Sequence, residues 1–374
     1  MKRFLSYLKI AALFVTVLCL AGMMAASAAQ YFDPLQHWVF ALLGLCFLPM
    51  LALTVFFLIF WIIVRIRLAW IPFIGLLVAL PGLLHIVSFN VFKAKSHSAQ
   101  HDLKLMTYNV RNFDLYNWSD ESATRRKMMS MIGDERPDVA CFQEFFTSDD
   151  KAFDNASILT KTIGFNYNHT EITTTVGGNQ HWGIATFSNF PIVGKGRVDF
   201  PMKTNNACIY TDLNVKGTTV RLYNVHLQSI YLTRKDYAYI EDFQSDRNKM
   251  SPIANERILT KLRNAYRLRG EQVNLIEQSV EASPYPVLLC GDFNDTPVSY
   301  AYRVFNKTLN DCFLDKGWGI SPTYNGMIPL LRIDYVLHDT SFQTLAYRRL
   351  TQAYSDHYPV ITELNLAKQP STVR

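Results

Sequence analysis

Six short stretches of the chain bring an apolar run up to groups that bind cations or move protons. They are Asn109 and Arg111 in TYNVRNF, Glu144 in CFQEFF, Asn224 and His226 in LYNVHLQS, Asp292, Asn294 and Asp295 in PVLLCGDFNDTP, Asp334 in RIDYVL, and Asp356 with His357 in YSDHYPV. Short apolar runs bounded by turn residues read as strands, so five of these sets fall at strand ends and Asp334 falls inside a strand. A buried carboxylate without a partner is destabilising or changes its protonation. The simplest joint solution is that these groups satisfy one another around a hard cation.

Singly, each residue has a plain structural use. Asp292 and Asn109 suit turns, Glu144 a surface strand end, His226 a packed core, and Ser355-Asp356 a bend. Asp334 could pair with Arg332, and Arg111 could form a salt bridge as readily as it could meet a phosphate. Asp295-Thr296-Pro297 reads as an N-cap followed by proline at the first position of a helix over 297–306. Only the ordered set points to chemistry.

In that order the set resembles the endonuclease/exonuclease/phosphatase superfamily. The matching motifs are N-V-R, Q-E, N-x-H-L, G-D-F-N, I-D-Y-V and S-D-H-x-P-V, spread over residues 103–364. The resemblance implies an α/β (α+β) fold: a four-layer sandwich of two packed, mainly antiparallel sheets flanked by helices, which hydrolyses phosphoesters at one end. It implies Mg²⁺, or Mn²⁺, near Asn109, Glu144 and Asp356, because a hard cation prefers oxygen donors. Catalytic roles fall to His226, Asp292, Asn294, Asp334 and His357. Asp292 would orient or deprotonate the attacking water, with Asn294 holding it and reaching the phosphate. The Asp334 carboxylate would fix the tautomer of His357 and raise its basicity. The N-x-H-L form at His226 resembles the deoxyribonuclease, 5-phosphatase and sphingomyelinase branches more than abasic-site endonucleases.

The elements that must carry these groups follow from periodicity. Helical patterns lie near 121–135, 150–163, 254–282 and 297–306. Strand patterns comprise LKLMTYNV, DVACFQE, NYNHTEIT, WGIATFSN, NACIYTDLNV, TTVRLYNVHL, PVLLCGDF, RIDYVLHD and PVITELNL. Most connections are too short for a crossover, which favours antiparallel pairing. Lys216-Gly217 marks a hairpin turn. Residues 229–253 interrupt this rhythm as an insertion, in which Tyr231, Tyr237 and Tyr239, with Gln228 before them, are candidates to line a substrate path.

Residues 1–92 differ in kind. Apolar stretches at about 10–29, 38–64 and 68–92 reach the roughly 20 residues that cross a bilayer. The first also fits a signal peptide, with Ala26-Ser27-Ala28 as its small-residue site. Lys2, Arg3 and Lys9 precede the first stretch and Arg65 and Arg67 follow the second, which places these loops in the cytoplasm and the C-terminal part outside it, against the weaker vote of Lys93 and Lys95. The expected organisation is a membrane region (1–92), a linker (93–101) and a catalytic domain (102–374).

Of the 37 Lys+Arg and 31 Asp+Glu, residues 1–100 hold 7 and 1, which leaves 30 of each in the remainder. A neutral domain lacks the basic surplus of a dedicated duplex binder. Nucleic acid, nucleotide and phospholipid head group all remain as phosphoester substrates, with the bilayer as a second partner and no protein partner implied. No C-x-x-C spacing occurs among the six cysteines, and Cys141 and Cys290 read as core residues. The competing expectation is a non-catalytic, membrane-tethered scaffold that retains the fold.

Overall fold

The computed structural model of the chain describes residues 2–90, 101–116, 119, 123–202, 204–231, 233, 235, 236, 238, 239, 251–326 and 330–367. Most of the expected linker, and Tyr237, lie outside the described residues. The chain divides into two compact units. One comprises Met1–Ile86, Ser229–Glu271 and Thr296–Arg303; the other comprises Val87–Gln228, Gln272–Asp295 and Val304–Arg374.

The first unit contains α1 (Lys2–Ala28), α2 (Pro34–Leu45), α3 (Phe47–Arg65) and α4 (Trp70–Ile86). The stretch expected to run unbroken over 38–64 is two helices that meet at Cys46. Pro49 explains the break: its ring excludes the carbonyl four residues back, at Leu45, where α2 stops. Two segments, Ser6–Tyr31 and Phe47–Leu68, are long and apolar enough to cross a membrane, whereas Pro34–Leu45 and Trp70–Ile86 are shorter. Met23, Phe47 and Ala79 bring α1, α3 and α4 into one apolar cluster. Trp61 Nε1 donates to Thr16 Oγ1 at 2.8 Å and ties α3 to α1 further along. Among the described residues of the insertion, Asp236 is buried and accepts from Arg257 Nε and Lys261 Nζ.

The second unit is a sandwich of two six-stranded sheets. The first sheet runs β13 (Phe342–Arg349), β14 (Val360–Leu366), β2 (Leu103–Asn109), β3 (Val139–Ser148), β5 (Gln180–Ser188) and β4 (Tyr167–Val176). The second runs β10 (Asn310–Asp311), β12 (Asp334–His338), β9 (Val287–Asp292), β8 (Thr218–His226), β7 (Cys208–Val215) and β6 (Ile192–Val198). A short β1 (Ser88–Phe89) pairs with β11 (Trp318–Gly319). Leu105, Val139, Cys141, Leu222, Leu288, Cys290 and Val336 form the core between the sheets. On the opposite face of the first sheet, Met106, Tyr108 and Phe142 pack on Met128 and Ile132 of α5 (Thr124–Glu135). Over the second sheet, Tyr223 Oη donates to the Ser279 carbonyl at 2.8 Å, within α6 (Pro252–Glu281).

Pairing is antiparallel except at the centre of each sheet, where β2 lies parallel to β3 and β8 to β9. Parallel neighbours need a crossover, and α5 and α6 lie between these strands in sequence. At the hairpin between β7 and β8, Lys216 and Gly217 both have positive φ, 51° and 93°.

Candidate active site

Strand alternation delivers the polar set to one place. Leu103 and Leu105 of β2, Val220 and Leu222 of β8, Leu288 and Cys290 of β9, and Val336 of β12 point between the sheets. Continuing at every second residue puts Asn109, His226, Asp292 and Asp334 on that same face. Register then aligns the strand ends: His226 pairs with Asp292, and Asp334 pairs with Asp292 from the other side. Asp334 is the first residue of its strand, because the Thr323 hydroxyl accepts from both Ile333 N and Asp334 N. Arg332 pairs with Asp311 at 2.7 Å, which leaves Asp334 for the imidazole.

Asp292 is the centre of the group. Its Oδ2 accepts from Asn109 Nδ2 at 3.0 Å and lies 3.8 Å from His226 Nε2 and 3.7 Å from His357 Nε2. Its Oδ1 accepts from Asn294 N at 2.8 Å, while Asn294 Nδ2 donates to the Leu227 carbonyl. His357 Nδ1 and Asp334 Oδ2 are hydrogen-bonded at 2.9 Å. The two buried histidines are driven apart in basicity. Burial holds His226 below the ordinary imidazole range despite Asp292. Burial also opposes charge on His357, but Asp334 and Asp292 outweigh it and hold that imidazole well above the range. His226 Nε2 and Asp334 Oδ1 are buried and make no hydrogen bond within the described residues.

The Gly291 that precedes Asp292 is required. Its φ is +134°, and a Cβ there would lie 2.0 Å from the Val225 carbonyl oxygen. Asn294, two residues beyond Asp292, is left-handed at φ 52°.

Glu144 and Asp356 stand beside this centre. The β3–β5 register breaks between Phe142 and Phe145, and Glu144 sits in that bulge at φ 48°. Bulges re-aim side chains next to active sites. Asn109 Nδ2 approaches Glu144 Oε1 at 3.3 Å. Burial, and next the Asp356 carboxylate, push the Glu144 carboxyl up to about 7, against His357 and Asn109. Asp356 Oδ2 lies 3.3 Å from Arg111 Nε. Arg111 opens a left-handed turn in which residues 111–114 all have φ between 43° and 57°. Such runs are sterically unfavourable for L-residues and persist where the surroundings over-determine them.

The structure brings together all eight predicted residues: Asn109, Glu144, His226, Asp292, Asn294, Asp334, Asp356 and His357. Among the described residues, Asp292, Asp334 and His357 form the group of possible ligands whose atoms lie within 4.8 Å of one another. Two neighbours, Tyr324 and Asn325, escaped the sequence reading, and Ser355, read there as part of a bend, joins them. Ser355 Oγ donates to the Asn109 carbonyl at 2.9 Å, Tyr324 packs edge-on to His357 with centroids 5.4 Å apart, and Asn325 N donates to the Asp356 carbonyl. A cavity of about 170 Å³ is lined by Arg111, Asp114, Ser119, Asn325, Ser355 and Asp356, among others. Of the insertion's aromatics, Tyr231 is exposed and Tyr239 Oη donates to Asn255 Oδ1.

Asp295 is not the expected N-cap. Its carbonyl accepts from Tyr335 Oη, and the helix that follows, α7 (Tyr300–Asn306), starts later, with Ser299 Oγ accepting from Tyr302 N in the capping position.

Similarity to known proteins agrees with this geometry. Residues 7–86 match a domain of unknown function, DUF8431, and no curated protein matches the chain. Many solved structures share the fold. An endonuclease/exonuclease/phosphatase from Beutenbergia cavernae DSM 12333 is 19% identical, with a TM-score of 0.51 and coverage of 72% of each chain. An endonuclease/exonuclease/phosphatase family protein from Bacteroides thetaiotaomicron is 18% identical, with a TM-score of 0.51, covering 70% of this chain and 97% of that one. The human Nocturnin catalytic domain, solved with bound sulfate, is 18% identical, with a TM-score of 0.50, covering 71% of this chain and 93% of its own. Residues 106–357 match the Endonuclease/Exonuclease/phosphatase family model, and the chain belongs to that family.

Proposed function

We propose that the chain is a membrane-anchored, metal-dependent phosphoesterase whose catalytic domain (102–374) follows a membrane region (1–92) and a linker (93–101) and lies on the extracytoplasmic side. The observation that carries the catalytic reading is Asp292 Oδ2 held 3.8 Å and 3.7 Å from two imidazole nitrogens, with Asp334 behind the second. Asp292 orients and deprotonates the attacking water, and Asn294 fixes that carboxylate through its backbone N–H. The charged His357, backed by Asp334, stabilises negative charge as it develops on the phosphoryl group. Neutral His226 presents Nε2 to a phosphoryl oxygen.

Asn109, Glu144 and Asp356 are the proposed holders of Mg²⁺, or Mn²⁺. They offer oxygen donors, and a cation would relieve the repulsion that burial beside Asp356 imposes on Glu144. Asp292, Asp334 and His357 suit the cation less, because they include a nitrogen donor and are already joined by the 2.9 Å hydrogen bond. When bound, the metal neutralises charge on the phosphoryl oxygens.

Membrane anchoring is supported by the low burial of the two long apolar segments, 28% and 22%. Lys9 on α1 and Arg65 and Arg67 after α3 favour a cytoplasmic N-terminus. With 17 residues, α4 is about 25 Å long, at the lower limit for a third crossing. The substrate is a phosphoester of a nucleic acid, nucleotide or phospholipid head group. A panel of these, assayed with the full chain, tests the proposal.

A further inference from the structure

We infer that Asn224 is a positioning residue that holds Glu144 from the opposite sheet, with Gln143 as its partner. This inference rests on the phosphoesterase reading above, in which Glu144 holds the metal and His226 meets the substrate. All of these residues belong to the sandwich unit.

The two six-stranded sheets are separate hydrogen-bonded ladders. Facing sheets lie roughly 10 Å apart, and side chains in that gap set how their ends meet. Asn109 to Asp292 is one such bridge, inside the site. Another lies one layer behind it. Gln143 of β3 and Asn224 of β8 are both fully buried, and Gln143 Nε2 donates to Asn224 Oδ1 at 2.7 Å.

Asn224 holds both strands of the bulge. The β3–β5 register breaks after the Phe142–Ala185 pair, and Asn224 Nδ2 donates to the Ala185 carbonyl at 2.9 Å. Its Oδ1 takes Gln143, the residue before Glu144 within the break. On the other flank Gln143 pairs with Asn109 in the ladder, and its carbonyl accepts from Val110 N at 3.1 Å. These bonds fix the backbone at the residue before Glu144, which is itself left-handed at φ 48°. Asn224 also stands two residues before His226, on the same face of β8. One side chain therefore sets the spacing between the metal-holding carboxylate of the first sheet and the imidazole of the second.

Stability alone favours apolar residues in this layer. Cys141 and Leu222, the preceding inward positions on the two strands, belong to the apolar core. Gln143 Oε1 is buried and makes no hydrogen bond within the described residues. A buried acceptor left unsatisfied is destabilising, whereas an apolar pair of the same shape is nearly neutral. What the two amides add is direction, which Glu144 needs and a core does not.

The experiment uses the full chain in phosphatidylcholine nanodiscs and reads the Mg²⁺ dependence of the melting temperature. Gln143→Met and Asn224→Leu each keep the bulk and remove the bridge. Leu364→Ala, at the end of the same core away from the site, is the control for general loosening. Each bridge variant should raise the apparent Kd for Mg²⁺ about ten-fold to a hundred-fold. The double variant should lose no more than the worse single one, because the two amides act as one unit. Leu364→Ala should melt lower with the Kd of wild type. Without metal, amide exchange at residues 142–146 should quicken about ten-fold relative to the rest of the sheet in both bridge variants and not in the control. If Asn224→Leu does not fold, Asn224→Ser takes the same readouts. Bridge variants with the wild-type Kd, or an equal loss in Leu364→Ala, overturn the inference alone. A wild type that neither responds to Mg²⁺ nor cleaves any phosphoester contradicts the phosphoesterase reading, and the exchange pattern then decides the hold on Glu144 by itself.

Discussion

His357 Nδ1 and Asp334 Oδ2 lie 2.9 Å apart, both side chains buried, although 23 residues separate them in sequence. A buried imidazole is ordinarily neutral, and here the carboxylate reverses that preference. Replacing Asp334 with asparagine keeps the shape and removes the charge. The expected outcome is a fall in kcat of about 10² to 10⁴ with KM little changed, in a protein that still melts cooperatively. Steady-state kinetics beside a thermal melt check this; undiminished kcat would show that the pair has no catalytic use.

Glu144 and Asp356 predict a metal response. Mg²⁺ supplied at about 100 times its Kd should stabilise the fold by about 2.7 kcal/mol. Glu144→Gln and Asp356→Asn should each lose most of that gain, and chelation should abolish it in the wild type. Differential scanning fluorimetry with Mg²⁺ titration reads this directly. A response retained by both variants would relocate the cation, with Asp292, Asp334 and His357 as the next group to test.

A pH dependence follows from His169, which lies outside the site on β4. Its Nδ1 is 2.9 Å from Thr211 Oγ1, and burial, followed by Lys195, pushes the imidazole down to about 4. An unfolded histidine titrates near 6.5. Between about pH 6.5 and 4 the unfolded chain therefore binds a proton that the folded chain refuses, so stability is full above this window and falls as pH drops through it. Thermal melts at pH 7.5 and 5 should show a smaller drop for His169→Gln than for wild type. Parallel drops would assign the acid sensitivity elsewhere.

Much of this was legible because alternation and apolar runs are strong local signals. GDFN and SDH lie at the ends of such runs, and the sheets carry them to one face. What escaped depends on distant neighbours. Strands β6 and β13 lie at sheet edges, and IVGKGRV and FQTLAYRR carry glycines or charges that blur a strand pattern. Pro49 broke an apolar run that hydropathy alone reads as continuous. Asp295 looked like a cap because its sequence context is right, but Tyr335 occupies its carbonyl and Ser299 caps the helix. Tyr324 and Asn325 sit in an aperiodic segment, and only the bridge between Tyr324 and His357 reveals their place.

The proposed orientation has its own test. A reporter fused after residue 374 should be active when it requires an extracytoplasmic location, and one placed between Arg65 and Arg67 should be active only in the cytoplasm. Both reporters active only in the cytoplasm would mean that α4 does not cross, and the reverse pattern would mean an inverted orientation; either would turn the catalytic domain to the cytoplasmic side.

The most direct measurement is hydrolysis by the full chain in nanodiscs, with Mg²⁺, of a panel spanning DNA, RNA, nucleotides, phosphoinositide and sphingomyelin. Wild type should cleave at least one phosphoester, and Asp292→Ala and His357→Ala should each lose about 10² to 10⁴ of that rate while melting as folded protein. Equal inactivity of all three across the panel, or equal activity, would contradict the account.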